Sequence, residues 1–334
     1  MALGGLLLLL SLGPGLASSR TPLVLVLCEH FDLVCPFYLD ATSLRAAAAP
    51  THIGAPHDAV FDARRNLLHV AATYKSQPCL VSYTVSPEGA LRRSADPVPT
   101  SAAAPTLVRA GDGGAIIYAC DRECTQIFRL DDKGFPGPAA GRLPGSDAMV
   151  AVDATRVVTL RRGRVQLHAV SSPDGSLTAV GGALDAGAGA SSLALGDDGR
   201  TLYVLNLESF TRHVKAFEVC GDGLRASKVS VPLTREEAQK GLVATGASLY
   251  LVNASDTIST YLRAPDAVRA VGALVPTARG ATDLQIRGRL AMGVGAGEPT
   301  IRLYRVAPAD GRLRPTTPVM LPEGAAGTRL LILE

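Results

Sequence analysis

Tryptophan is absent from all 334 residues. Repeats built on a Trp-Asp dipeptide are therefore excluded. Charge of one sign is also lacking, with 33 Lys and Arg against 30 Asp and Glu and a net charge of +3. That balance leaves no electrostatic footprint for a nucleic acid or an acidic membrane. No run beyond residue 19 has the length and apolarity of a membrane-spanning helix. Dense Asp/Asn ligand runs of the calcium-binding kind are missing too, and so is any compact catalytic motif.

The first 19 residues do hold an apolar run, Leu6 to Leu10, followed by the small-residue segment Gly15-Leu16-Ala17-Ser18-Ser19. This is the layout of a signal peptide, although no basic residue precedes Leu6; the alternative is a buried first strand. The sequence thus divides into residues 1–19, a signal peptide, and residues 20–334, one large all-β domain. The expected location is secreted or periplasmic, and the expected state is a soluble monomer.

Periodicity carries most of the information. The clearest unit runs Ser191 to Leu195, turns at Asp197-Asp198-Gly199-Arg200, and continues Thr201 to Asn206. After a polar gap it resumes at Val214 to Val219, turns at Gly221-Asp222-Gly223, and ends in a strand through Val229 to Val231. Alternating apolar residues bounded by Asp-Gly turns read as strands joined by hairpins. The unit is a four-stranded blade.

Its third strand recurs with a ring side chain at a fixed place: Phe37, Tyr83, Phe128, His168, Phe217, Tyr261 and Tyr304. The intervals of 46, 45, 40, 49, 44 and 43 residues are blade spacings. Seven copies predict a seven-bladed β-propeller of four-stranded antiparallel blades. The slot predicts packing between blades, and His168 in it reads as a core histidine. The N-terminal Leu23 to Leu27 and Leu33 to Leu39 form a blade lacking its first strand, and Thr328 to Leu333 reads as a lone strand. Pairing the two closes the ring and removes an open sheet edge.

An aromatic strand, a turn and a leucine recur as Tyr83 to Leu91, Phe217 to Leu224 and Tyr304 to Leu313, beside Asp198-Gly199-Arg200-Thr201-Leu202-Tyr203-Val204. These segments resemble the seven-bladed lactonase family, of 6-phosphogluconolactonase type, and are also similar to YVTN-type propellers, over nearly all of residues 20–334. The resemblance implies a sugar-lactone hydrolase. Family members often carry a Pro-Arg-His element entering an inner strand; the matching segment is Pro56-His57-Asp58, with His57 in the arginine place and Asp58 in the histidine place.

Propeller geometry puts the Asp-Gly hairpins on one face and the blade-entry and second-to-third-strand loops on the other. The second face should carry His30, His57, Asp58, Tyr74, Lys75, Arg122, Glu123, Glu208, Arg212, His213, Arg279, Asp283 and Glu298. Opening a lactone requires a base or metal to activate water, and a cation or donor for the developing oxyanion. His57 or His213, with Asp58 or Glu208, are the candidate catalytic groups, and His57-Asp58 is the preferred pair. Arg212 and Arg279, with Asp283, are the candidate substrate-binding groups. No cofactor is expected. A divalent cation is not indicated, although Asp58, Glu208, Asp283 and Glu298 could converge on one. The competing reading is a non-enzymatic propeller binding a small molecule or a protein on this face.

Six cysteines beside a signal-like segment suggest disulfides. Cys28 with Cys35, and Cys120 with Cys124, flank two loops and are expected to clip them. Cys79 and Cys220 fall on opposite faces and are expected to stay unpaired. The spacing of Cys120 and Cys124 is not a zinc signature without a second pair. Asn253-Ala254-Ser255 is a glycosylation sequon expected on a loop, and Thr234 to Lys240 has the composition of a helical turn.

Overall fold

The computed structural model describes residues 22–333 except 41–42, 209–211, 234–238, 246–247 and 265–266. The signal-like segment lies outside the described residues. No helix among them is long and apolar enough to cross a membrane.

Seven antiparallel sheets, each of four strands or of four with a short extra strand, follow one another along the chain. Blade 1 contains Leu23–Cys28, Leu33–Leu39 and Leu44–Ala46, and its inner strand is the C-terminal Arg329–Leu333. Leu23 pairs with Leu333, Val24 with Ile332 and Leu27 with Arg329. The expected closure is therefore the observed one. Blades 2 to 7 begin on the inner strands Ala55–Asp62, Thr106–Ala110, Ala148–Ala151, Ala190–Leu195, Gln239–Thr245 and Ala281–Arg287.

Local chemistry accounts for the hairpins. Asp198 accepts the backbone N–H groups of Arg200 and Thr201, both at 2.9 Å, while Gly199 takes φ +61°. A carboxylate folding back on the amides two and three residues ahead and a glycine in the left-handed region make the reversal that the Asp-Gly signal predicts. The slot aromatics are buried, and His168 is half-buried, with Nε2 3.0 Å from the Thr159 hydroxyl. Apolar clusters join adjacent blades, as where Val24, Val26 and Phe37 of blade 1 pack with Met292, Val294 and Ile301 of blade 7. Packing between blades is what demands the repeating ring.

Following each slot aromatic across the second strand to the inner strand puts the seven blades in common register. Three residues earlier on each inner strand lie Arg329, Asp58, Thr106, Ala148, Ser192, Gly241 and Asp283. Three charges in this layer fall on consecutive blades, 7, 1 and 2. Strand register slips by one residue between Pro56 and Asp58 and between Ala281 and Asp283. Bulges of this kind re-aim side chains, here beside the channel entrance.

The cysteine expectation is corrected. None of the six cysteines is joined in a disulfide. Cys28 and Cys35 lie on one face of adjacent strands but two residues out of register, leaving their sulfurs 4.0 Å apart. Cys120 pairs with Thr125, so Cys124 points to the opposite sheet face. Cys120 faces the Met149 sulfur at 3.6 Å and Cys124 the Ser101 hydroxyl at 3.3 Å. Alternation along a strand thus separates a pair that sequence spacing alone had brought together. The sequon is corrected too: Asn253 ends the strand Ser248–Asn253 fully buried, donating to Thr257 at 3.1 Å and Ser259 at 2.9 Å. Of the expected helical turn, 234–238 lie outside the described residues, and Gln239 and Lys240 begin an inner strand instead.

Candidate functional site at the loop-rich channel mouth

Arg329 is the centre of the charged layer. Its Nε lies 3.1 Å from Asp58 Oδ1 and 3.8 Å from Asp283 Oδ2. Both carboxylates are buried, while the arginine side chain keeps 41% of its surface exposed. Each carboxylate also reaches the next blade. Asp58 Oδ2 accepts the N–H of Leu107 at 2.8 Å, and Asp283 Oδ2 accepts that of Leu330 at 2.8 Å. The two aspartates are equivalent clasps between inner strands, and the arginine between them offsets their charge.

This arrangement has an electrostatic signature. Burial pushes the Asp58 carboxyl above its ordinary range, against the opposing pull of Arg329 and the Leu107 and Ala59 amides. Arg329 is held more firmly cationic by Asp283 and Asp58. Only Nε is bonded, so the two terminal guanidinium nitrogens have no hydrogen-bond partner among the described residues. A guanidinium anchored at one nitrogen and open at the others is placed to receive an oxyanion or an anionic substituent.

Arg329 and Asp283 border a cavity of about 320 Å³ within the channel. Its other walls include Thr106, Asp147, Ser191, Ser192, Thr282 and Gln285. The volume is within the lower range of small-molecule sites.

His57 is the residue at the blade 2 bulge, next to Asp58, yet the structure does not pair the two. Its Nε2 lies 3.1 Å from the Thr73 hydroxyl. Glu29 Oε1 lies 3.1 Å from Nδ1, an ion-pair approach that does not align as a hydrogen bond. Glu29 belongs to the short helical turn Glu29–Phe31 of blade 1, and its amide meets the Thr328 hydroxyl at 3.4 Å. The imidazole and the Arg329 cluster therefore occupy the same junction between blades 1 and 2. Gly54 holds the entering chain there at φ +84°, where an added Cβ would lie 2.6 Å from the Thr73 carbonyl oxygen.

The remaining sequence candidates stand apart from this junction. Glu208 is exposed, with its amide on Asn206. Arg212 and His213 are half-buried at the start of a blade 5 strand. Arg279 is exposed, and its Nε donates to the Gly297 carbonyl at 2.8 Å. Glu298 is bound to Arg302, which holds its carboxyl down to about 2. No group of three His, Cys, Asp or Glu able to hold a metal ion occurs among the described residues.

Sequence reasoning missed Arg329, Glu29 and Thr73. Arg329 left a signal, being the one charge in the strand Arg329-Leu330-Leu331-Ile332-Leu333 and falling in register with Asp58. Glu29 and Thr73 left none.

Fold and site define a seven-bladed propeller with a charged, partly open channel mouth. No protein-family model and no curated protein matches the sequence. Solved structures share the architecture. A candidate 6-phosphogluconolactonase from Bacteroides uniformis superposes with a TM-score of 0.82 at 16% identity, covering 94% of this chain and 100% of its own. Another, from Bacteroides fragilis, gives 0.80 at 14% identity, covering 95% and 99%. The periplasmic gluconolactonase of Pseudomonas aeruginosa gives 0.78 at 15% identity, covering 94% and 99%. At such identities the likeness establishes a common fold.

Proposed function

We propose that the chain is a sugar-lactone hydrolase acting at the loop-rich mouth, where blades 1, 2 and 7 meet. The observation that carries this reading is the Arg329 guanidinium, fixed at Nε between two buried aspartates with its terminal nitrogens open. A lactone carbonyl placed against those nitrogens would have its developing negative charge met by donors already in position.

His57 serves as the base. The Glu29 carboxylate favours the ring proton on Nδ1, leaving Nε2 to accept from the Thr73 hydroxyl. A water attacking the carbonyl carbon passes its proton to Nε2 through Thr73. The tetrahedral intermediate then collapses, the ring C–O bond breaks, and the imidazolium returns the proton to the departing alkoxide. The product is the open hydroxy acid, and neither metal nor cofactor enters the sequence. Asp58 and Asp283 position Arg329.

Secretion or periplasmic residence fits this reading through the signal-like residues 1–19, and a structural neighbour is a periplasmic gluconolactonase. The test is hydrolysis of a panel of sugar lactones, with and without a phosphate group, above the spontaneous rate. His57→Gln should lower kcat about 10²-fold or more, the usual scale of positioned acid–base catalysis. Failure of the wild-type protein across the panel, with and without divalent metal, would favour the non-enzymatic binding propeller.

A further inference from the structure

The opposite mouth of the channel, on the face of the Asp-Gly hairpins, holds a larger cavity of about 630 Å³. It is separate in residues from the site described above. Its floor is aliphatic, with Leu331 and Ile332 from blade 1, Val60 from blade 2 and Val152 from blade 4. Small residues, including Ala63, Ala110 and Ala154, keep it open.

Most of the charged groups around it are held in ion pairs, with one aspartate shared by two arginines. Asp62, wholly buried, takes Arg65 at 2.8 Å and Arg109 at 3.0 Å. Asp153 is paired with Arg156 at 2.7 Å. The outlying Asp112 accepts the Ser172 hydroxyl and faces blade 4. His69, behind Asp62, is pushed down to about 4 by burial and is neutral at physiological pH. Arg64 differs. It lines the cavity, is exposed, and has no side-chain partner among the described residues. Its guanidinium lies against Gly113, where an added Cβ would lie 3.0 Å from Nη1.

An aliphatic floor beneath an exposed guanidinium that has no carboxylate partner among the described residues suits an amphiphile with a single anionic head. We propose that this mouth is a second ligand site, for a medium-chain carboxylate whose alkyl chain lies on Leu331, Ile332, Val60 and Val152 and whose carboxylate meets Arg64. The volume is within the usual range of small-molecule sites, and the mixture of apolar wall and one orienting polar group is their usual composition. A bidentate arginine–carboxylate contact sets the direction of the chain. The site shares no residue with the lactone mouth, so it stands whether or not the chain hydrolyses lactones.

The probe is decanoate, titrated calorimetrically below its micellar concentration, with decanol and acetate as controls. Saturable one-to-one binding is expected for decanoate, weaker binding for decanol and none for acetate. Arg64→Gln should weaken decanoate several-fold, towards decanol, as befits a partly exposed ion pair. Ala154→Phe, a substitution of an exposed lining residue, should fill the mouth and abolish binding of both chains. His57→Gln, at the other mouth, should leave decanoate affinity unchanged. Absence of saturable binding by the wild-type protein would overturn the proposal, as would full affinity in Ala154→Phe. Equal affinity for decanoate in wild type and Arg64→Gln would overturn the assigned head-group contact and with it the selectivity.

Discussion

Replacing Arg329 by Met keeps most of the side-chain volume and removes the charge between Asp58 and Asp283. Breaking a buried pair by deleting one partner costs about 3–5 kcal/mol. Arg329 is 41% exposed, and water relieves part of that cost, so about 2–3 kcal/mol is expected at neutral pH. For a chain of this size that corresponds to a fall in Tm on the order of 5 °C. The loss should also depend on pH. The folded Asp58 carboxyl already lies above its ordinary range because of burial, and Arg329 is the leading influence holding it down. Without Arg329 the folded group binds a proton that the unfolded chain has released. Stability of the variant is then highest below the ordinary carboxylate range and declines as pH rises through the raised folded value. Thermal unfolding of both proteins between pH 4.5 and 8 reads this directly. The gap should narrow on acidification, and Asp58→Asn in the Arg329→Met background should recover part of it, because the amide oxygen still accepts from Leu107. A gap under 0.5 kcal/mol, or one independent of pH, would refute the electrostatic reasoning.

Three further outcomes follow from the fold. Truncation after Gly327 removes the closing strand with its buried Leu330 and Leu333, each side chain contributing about 1.5–3 kcal/mol, and exposes the edge of Leu23–Cys28; circular dichroism and melting should show loss of cooperative folding rather than a small shift. Titration with a thiol reagent after denaturation without reductant should count six thiols, and a count of four or two would show bridges that the structure lacks. Gly54→Ala places a side chain at φ +84° against the Thr73 carbonyl, at a cost of about 1–3 kcal/mol, and by displacing the His57 segment should lower lactonase activity more than stability; an unaltered rate would separate that segment from the chemistry.

The architecture was legible because inter-blade packing imposes a repeating demand. A ring must recur where Phe37, Tyr83 and Phe128 lie, and hairpins must recur where Asp198-Gly199 turns, so the pattern is written along the chain. Closure was legible for the same reason, since blade 1 lacked a strand that Arg329–Leu333 could supply. The candidate site was legible only by face. Asp58 meets Arg329 across 271 sequence positions and Asp283 reaches Leu330 across 47, and no local pattern records either contact. His57 was visible as a blade-entry histidine, whereas its neighbour Glu29 comes from a different blade. The preferred partner, Asp58, was adjacent in sequence but is committed to Leu107 and Arg329. The expected Cys120–Cys124 bridge failed on strand parity, since the intervening reversal sends the two to opposite faces, and the expected Cys28–Cys35 bridge failed on register, the two sharing a face but standing two residues apart across the strands.

The central claim is that Arg329 receives the charge developing on a lactone carbonyl. Its most direct test is kcat/KM for glucono-δ-lactone hydrolysis, corrected for the spontaneous reaction, in wild type and Arg329→Lys. Lysine preserves the charge between the aspartates but loses the forked donors, so a fall of about 10²–10³-fold, carried by kcat, is expected with near-native stability. Equal kcat/KM in the two proteins, or a wild-type rate no higher than the spontaneous one, would contradict the account.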